Sequence, residues 1–332
     1  MTGWDDSEFA FELRVCRWAE LAWERQMNVD GHAIVARQIG TKRRRWDTVI
    51  IECDPVGLAA RSAFGSDELD SDLLDVLVHA PAEWTWYRDA LDHPGYPWRY
   101  VRESIHRAAD RGLLKTRKRG NRIEIKRIAP YPDWVNRIVA IENKPDLDAS
   151  AARALSAQLT HDVRARLADE VWVATADTDG SVSPALLKAF PVEVGVLSCS
   201  FSDGVNADST RVDWYPTAIR SDADREIKGG QRSVTKRLVL AERAYGRGFR
   251  SYHRTMRPDC RHFELKRDGR ALLPACAAKG TLPTPRECSG SCPAFEPEPP
   301  IWRTRNYPIE GGPGKSVVRL LRERRRRQRE RL

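Results

Sequence analysis

The sequence predicts an α/β fold: a mixed core, split by an inserted helical unit and followed by a segment rich in cysteine. Three observations carry this. The run RIVAIEN at 137–143 is short, apolar and bounded by Pro145, as a buried strand is. Residues 148–167 place Leu155, Leu159, Val163 and Leu167 at helical spacing, and EVWVATA at 170–176 reads as another buried strand, which makes a strand–helix–strand unit. Four of the seven cysteines lie in a proline-rich stretch near the C-terminus, where large apolar residues are few.

The elements follow in order. Residues 7–27 read as a helix, with Ser7 as N-cap and Phe11, Val15, Trp18, Leu21 and Ala22 as its buried stripe. Strands are expected at 32–39 and 48–53, the second entered through Trp46 and Asp47. Residues 68–79, 82–91 and 98–111 read as three helices, the last ended by Gly112. A basic hairpin then spans 115–128 around Arg119-Gly120-Asn121. After the 137–176 unit come a short helix at 184–190, a strand pair at 192–201 and 211–214, and a helix at 233–245 closed by Gly246. Residues 319–332 are an arginine-heavy helix or arm.

Three helices followed by a β-hairpin is the order of a winged helix-turn-helix. Here Arg99, Arg102 and Arg107 stand on the third helix, and Arg117, Lys118, Arg119 and Arg122 on the hairpin, the two elements that meet a duplex groove. The chain has 56 Lys+Arg against 47 Asp+Glu, a net charge of +9, which favours an anionic partner. No segment has the length and apolarity of a membrane span, and residues 1–30 lack a signal-peptide core, so a cytoplasmic protein with no membrane partner is expected. In that compartment cysteines point to metal binding rather than disulfides.

On the 137–143 strand, alternation puts Ile138, Ala140 and Glu142 on one side, with Lys144 next in the series, and Val139, Ile141 and Asn143 on the other. An acid and a lysine at the edge of a core suit a divalent ion beside a phosphate: the ion needs a few carboxylate oxygens, and a lysine can orient water or offset charge. Asp47 upstream and Glu12 on the first helix extend the set, and Gln158 and Asp162 form an i, i+4 pair on the following helix.

These residues, in this element order, resemble the PD-(D/E)XK nuclease superfamily in its RecB-like branch. Trp46-Asp47 with TVIIEC matches the Asp strand, IVAIENK the (D/E)-x-K strand, and Gln158 the glutamine of the next helix. The chain departs in having Trp46 in place of the proline, Asp162 in place of a tyrosine, and a long insertion between Asp47 and Glu142. The whole chain is also similar to an uncharacterised haloarchaeal protein family. The resemblance implies a restriction-endonuclease-like core, with Glu12, Asp47 and Glu142 holding Mg²⁺ or Mn²⁺ and Lys144 and Gln158 completing the catalytic set.

Cys260, Cys276, Cys288 and Cys292 are spaced C-x15-C-x11-C-x3-C, which fits a metal staple but neither a paired-knuckle zinc ribbon nor the common ferredoxin run. A [4Fe–4S] cluster and zinc are both open. The expected domains are residues 1–58 and 135–225 for the core, 59–134 for the insertion, 226–302 for the metal staple and 303–332 for a basic tail. The expected function is phosphodiester hydrolysis, with DNA favoured over RNA as partner. The rival expectation is a DNA-binding regulator on an inactive nuclease-like scaffold.

Overall fold

The computed structural model describes residues 7–42, 44–177, 188–219, 236–250, 256–257, 259–289 and 291–297. The expected basic tail at 303–332, and most of the expected helix at 184–190, lie outside the described residues. The mixed α/β class expected from the sequence is the one observed.

Helix α1 (Glu8–Gln26) starts where Ser7 Oγ accepts the Ala10 N–H at 3.2 Å. Strands β1 (His32–Gly40) and β2 (Arg45–Cys53) form an antiparallel pair that sets Ala36 opposite Val49. The chain then leaves on α2 (Pro55–Ser62), α3 (Ser71–His79), β3 (Thr85–Trp86), α4 (Tyr87–Ala90), α5 (Trp98–Asp110), β4 (Leu114–Arg119) and β5 (Arg122–Arg127). It returns on β6 (Val135–Asn143), antiparallel to β2 with Ile141 opposite Thr48. Helix α6 (Ala149–Ala165) leads to β7 (Glu170–Ala176), parallel to β6; β8 (Val194–Cys199) and β9 (Thr210–Trp214) complete a six-stranded sheet in the order β1-β2-β6-β7-β8-β9. Helix α7 (Lys236–Arg247) and the hairpin of β10 (Phe263–Asp268) and β11 (Ala271–Cys276) follow.

The sheet is covered on both faces. Val35, Ile50, Val139 and Ile141 pack with α1, whose Trp18 and Trp23 are fully buried, and with Leu273 and Ala275 of β11. Ala36, Val49, Ile138 and Ala140 pack with Leu159 of α6 and Leu240, Ala241 and Ala244 of α7. Burying each such side chain contributes roughly 1.5–3 kcal/mol. The alternation expected for β6 is therefore observed.

The excursion between β2 and β6 is fastened at its ends. The Asp54 N–H donates to Trp134 O at 3.1 Å, and a Cβ on Gly57 would lie 2.0 Å from Asp133 O, so only glycine admits this approach. Deeper in, Arg61 donates through Nε and Nη2 to Glu242 of α7 at 2.5 Å each. Both side chains are wholly buried, and Glu242 also accepts from the Leu69 N–H and from Tyr131 Oη.

Two expectations are corrected. Residues 82–91 form β3 and the one-turn α4 in place of a helix, because Thr85 and Trp86 pair with Ile125 and Glu124 of β5. The cysteine segment also holds more regular structure than expected, since β10 and β11 close around Gly269 at φ 57°.

Candidate functional site

Four elements bring their polar residues to one end of the sheet. Glu12 faces the sheet from α1; Asp47 is the third residue of β2; Glu142 is the second-last of β6; Gln158 and Asp162 reach across from α6. Asp47 and Glu142 are far apart in sequence, yet the β2–β6 register makes them neighbours, and their charges repel.

The donors around these acids are specific. Glu12 Oε1 accepts from Arg37 Nε at 2.8 Å. Gln38 Nε2 reaches Glu12 Oε1 and Oε2 at 3.3 and 3.2 Å and Asp47 Oδ1 at 3.0 Å, so one amide ties the two acids together. The other oxygen of Asp47 accepts the Asn143 backbone N–H at 3.0 Å. Glu142 Oε2 accepts from Gln158 Nε2 at 2.6 Å, and Oε1 accepts from Arg44. Arg44 also forks onto Asp162, with Nε 3.0 and 3.1 Å from its two oxygens and Nη2 2.8 Å from Oδ2.

Burial pushes all three site carboxyls above their ordinary range. For Glu142, burial and then the charge of Asp47 drive the value up to about 8 against the pull of Arg44. Glu12 is raised by burial with Asp47 adding to it, and Asp47 by burial against the hydrogen bonds from Asn143 and Gln38. The nearby donors Arg37, Gln38 and Arg44 oppose this rise without cancelling it. Asn143 Oδ1 and Trp46 Nε1, each adjacent in sequence to a site acid, are buried with no hydrogen-bond partner among the described residues. Carboxylate and amide oxygens are the ligand type a small hard cation takes. Among the described residues, however, no group of three or more His, Cys, Asp or Glu side chains is arranged to hold a metal ion, and Arg44 and Gln38 occupy the space between the acids.

An open cleft runs over Glu12, Gln38, Asp47 and Asn143. Its far wall is Thr281, Thr284 and Glu287 of the cysteine segment. The ion-pair partner of Lys144 is Glu8, at the start of α1. Lys144 follows the last residue of β6 and its Nζ lies 3.8 Å from Glu8, about one-third exposed.

Gln38 and Arg44 are the site residues that sequence reasoning missed. Gln38 has φ 54°, a left-handed conformation unusual for glutamine, and the Arg37–Thr48 and Ile39–Trp46 pairs flank it where no pair is formed. Arg44 sits in a basic turn that reads as solvated surface; the signal for it is Asp162, an acid on the α6 face that carries Gln158.

The four cysteines expected to form a staple line one small cavity, together with Arg257, Phe263 and Phe295. The Arg257 N–H donates to Cys288 Sγ at 3.3 Å. Burial raises the Cys288 thiol, and the other three cysteines add to that rise. Cys16, Cys53 and Cys199 are buried core residues, as expected.

The cationic residues of the insertion divide into two groups. Arg107 clamps both oxygens of Asp70, the N-cap of α3, at 2.6 and 3.1 Å, and so acts as a structural tie. Arg117 pairs with Glu124 and lies 4.5 Å from the Trp84 ring; Arg122 lies 4.7 Å from the Trp86 ring. Arg119 reaches Glu124 only at 3.8 Å, and Arg99 stacks on Tyr100. Arg102 and Lys118 are exposed and have no partner among the described residues.

Among the described residues no helix is long and apolar enough to cross a membrane. No curated protein and no solved structure matches the chain. A family model matches residues 34–297, a span that includes Asp47, Glu142, Gln158 and the four cysteines and omits Glu12. The chain belongs to that family, the family of unknown function DUF5787.

Proposed function

We propose that this protein is a metal-dependent nuclease of the PD-(D/E)XK type that hydrolyses phosphodiester bonds in DNA. One observation carries the reading: Glu12, Asp47 and Glu142 converge from three elements at one end of the sheet, with Gln158 bonded to Glu142 from a fourth. The element order α1-β1-β2-β6-α6-β7 is that of the resembled core. Glu12, Asp47 and Glu142 would hold Mg²⁺ or Mn²⁺, which when bound polarises a phosphate oxygen and lowers the pKa of a water. Gln158 orients Glu142, and Gln38 fixes the spacing between Glu12 and Asp47. Lys144, 3.8 Å from Glu8 at the cleft, is the cation available to position the water.

The insertion supports duplex binding. Its helices and its three-stranded sheet in the order β3-β5-β4 suit a winged helix-turn-helix, in which Arg99, Arg102, Lys118 and Arg119 would be the phosphate contacts. For the four cysteines we propose a metal staple, either a [4Fe–4S] cluster or zinc, because all four line one small cavity. Brown, anaerobically purified protein with iron and sulfide would support the cluster; colourless protein with one zinc per chain would reject it.

A second reading has two observations in its favour. Both oxygens of Glu142 are already occupied, by Arg44 and Gln158, and Lys144 points to Glu8, as suits a DNA-binding regulator on an inactive scaffold. Cleavage of single-stranded, duplex and branched DNA and RNA with Mg²⁺ or Mn²⁺ separates the two. Asp47→Ala and Lys144→Ala are expected to abolish metal-dependent cleavage; undiminished cleavage in both would refute the nuclease, and wild-type protein that binds but never cleaves would favour the regulator.

A further inference from the structure

Arg44 is held too firmly to be a stray surface arginine. Its backbone sits in a tight turn: the Thr41 N–H donates to Arg44 O at 2.6 Å, and the Arg44 N–H returns to Thr41 Oγ1 at 3.2 Å. A Cβ on Gly40 would lie 2.1 Å from Arg44 O, so the turn requires glycine there. From this turn the side chain passes under the end of the sheet to Asp162, whose own side chain is 1% exposed. Two nitrogens of the fork bond Asp162, and the shared Nη2 also bonds Glu142 Oε1. A buried carboxylate needs such a partner, and the fork meets it with paired charge-assisted bonds. Glu142 is therefore the replaceable contact: Arg44 can release it and remain on Asp162.

We propose that Arg44 is a resident cation that occupies the metal's place on Glu142, with Asp162 as its fixed anchor, so that divalent binding and the Arg44–Glu142 contact exclude one another. This rests on the metal-site reading above and adds its regulation. In the metal-free chain Arg44 donates to Glu142 Oε1 and ties it to Asp162. When a cation arrives, Arg44 gives up one bond, keeps its anchor, and presents the freed Nη2 hydrogen toward the site. Because the coupling is reciprocal, weakening the Arg44 contact must tighten the metal by the same factor.

The test is Mn²⁺ titration of the full chain, followed by the electron-spin-resonance signal of free Mn²⁺. Wild type, the double variant Arg44→Gln/Asp162→Asn, and Glu142→Gln are compared. The double variant removes the cation and its buried counter-ion together, which avoids stranding Asp162. It is expected to bind Mn²⁺ about tenfold more tightly than wild type, within the usual span of site-to-site coupling. Glu142→Gln should lose binding. Arg44→Lys, which keeps the charge but not the fork, should tighten binding by a smaller factor, and serves if the double variant does not fold. Equal or weaker binding in the Arg44 variants, with wild-type binding still lost in Glu142→Gln, would overturn the latch and leave the metal site standing. Absence of Mn²⁺ binding in every variant would overturn both.

Discussion

On the proposed metal-site reading, the raised Glu142 carboxyl makes divalent binding a proton-coupled event. Its ordinary value is 4.5 and its value in the fold is about 8, driven by burial and then by Asp47. At pH 7 the group is therefore ~90% protonated in the metal-free chain, and a bound cation must displace that proton. The affinity of Mn²⁺ should rise about fiftyfold between pH 6 and pH 8 and level off near pH 9, since each pH step below the pKa costs about tenfold. Stability has the opposite sign. A carboxyl whose folded pKa lies above its unfolded one contributes stability that is complete below about 4.5 and is lost as pH rises through about 8. The metal-free chain should thus become less stable from pH 5 to pH 9, by at most about 5 kcal/mol from this group. Burial pushes Glu12 and Asp47 in the same direction. Calorimetric Mn²⁺ titrations at pH 7 in two buffers of different ionisation enthalpy would count the protons released, with about one expected from Glu142. Thermal melts across the same pH range would follow stability. An affinity that is flat from pH 6 to pH 8, or a Glu142→Gln chain with the same pH slope of stability as wild type, would refute the reasoning.

Three further outcomes are expected. Glu242→Ala leaves Arg61 buried without its counter-ion and should destabilise the chain by about 3–5 kcal/mol in denaturant melts; a loss under ~1 kcal/mol would mean that Tyr131 and the backbone carbonyls suffice. Arg102→Ala and Lys118→Ala should each weaken duplex binding and reduce its log–log salt slope by roughly 1, whereas Arg107→Ala should lower the melting temperature through the lost Asp70 clamp. Replacing Cys260 or Cys288 by Ser should release the bound iron or zinc, read by metal analysis, and lower the melting temperature; full retention of metal would remove that cysteine from the ligand set.

Much of the core was legible because local signals agreed with the tertiary fold. The Ser7 cap and the apolar stripe fixed α1, and strict alternation fixed β6. The error at 82–91 has a clear physical source: a tryptophan–threonine–tryptophan run favours strand, and pairing with β5 outweighs the helical spacing around it. In the cysteine segment, Asp268-Gly269 between two alternating runs was a readable hairpin turn that the cysteines masked. Asp47 and Glu142 were legible from their places near the ends of two strands, and Glu12 from its place on the first helix of the resembled core. Gln38 was not, because its role depends on a left-handed backbone that nothing local demands. Arg44 and Arg61 were hidden for another reason: each meets a carboxylate more than one hundred positions away on α6 or α7, a pairing that composition cannot reveal.

The long separation of Asp47 from Glu142 is the feature most at odds with a shared site, and the fold resolves it. Closing a flexible loop the length of residues 59–134 would cost about 4 kcal/mol of chain entropy, a sum that grows only with the logarithm of its length. Here the loop is not flexible. Asp54 bonds Trp134, Gly57 lies against the Asp133 backbone, and Arg61 and Tyr131 both bond Glu242, so the first and last turns of the insertion are joined to each other and to α7. The insertion therefore delivers β6 back to β2 with its ends already together. The same anchor makes a mechanical link: α7, which holds the ends of the insertion through Glu242, also packs on β1, β2 and β6, the strands that carry Gln38, Asp47 and Glu142. A duplex bound at α5 and the β4–β5 hairpin would thus act on a unit fixed rigidly to the acid cluster, and its position along the cleft would be set by the Arg61–Glu242 junction. Loosening that junction by Arg61→Lys, which keeps the charge and loses the fork, should leave Mn²⁺ affinity unchanged while broadening the positions at which a bound duplex is cut; an unchanged cleavage pattern would show that the two units communicate by another route.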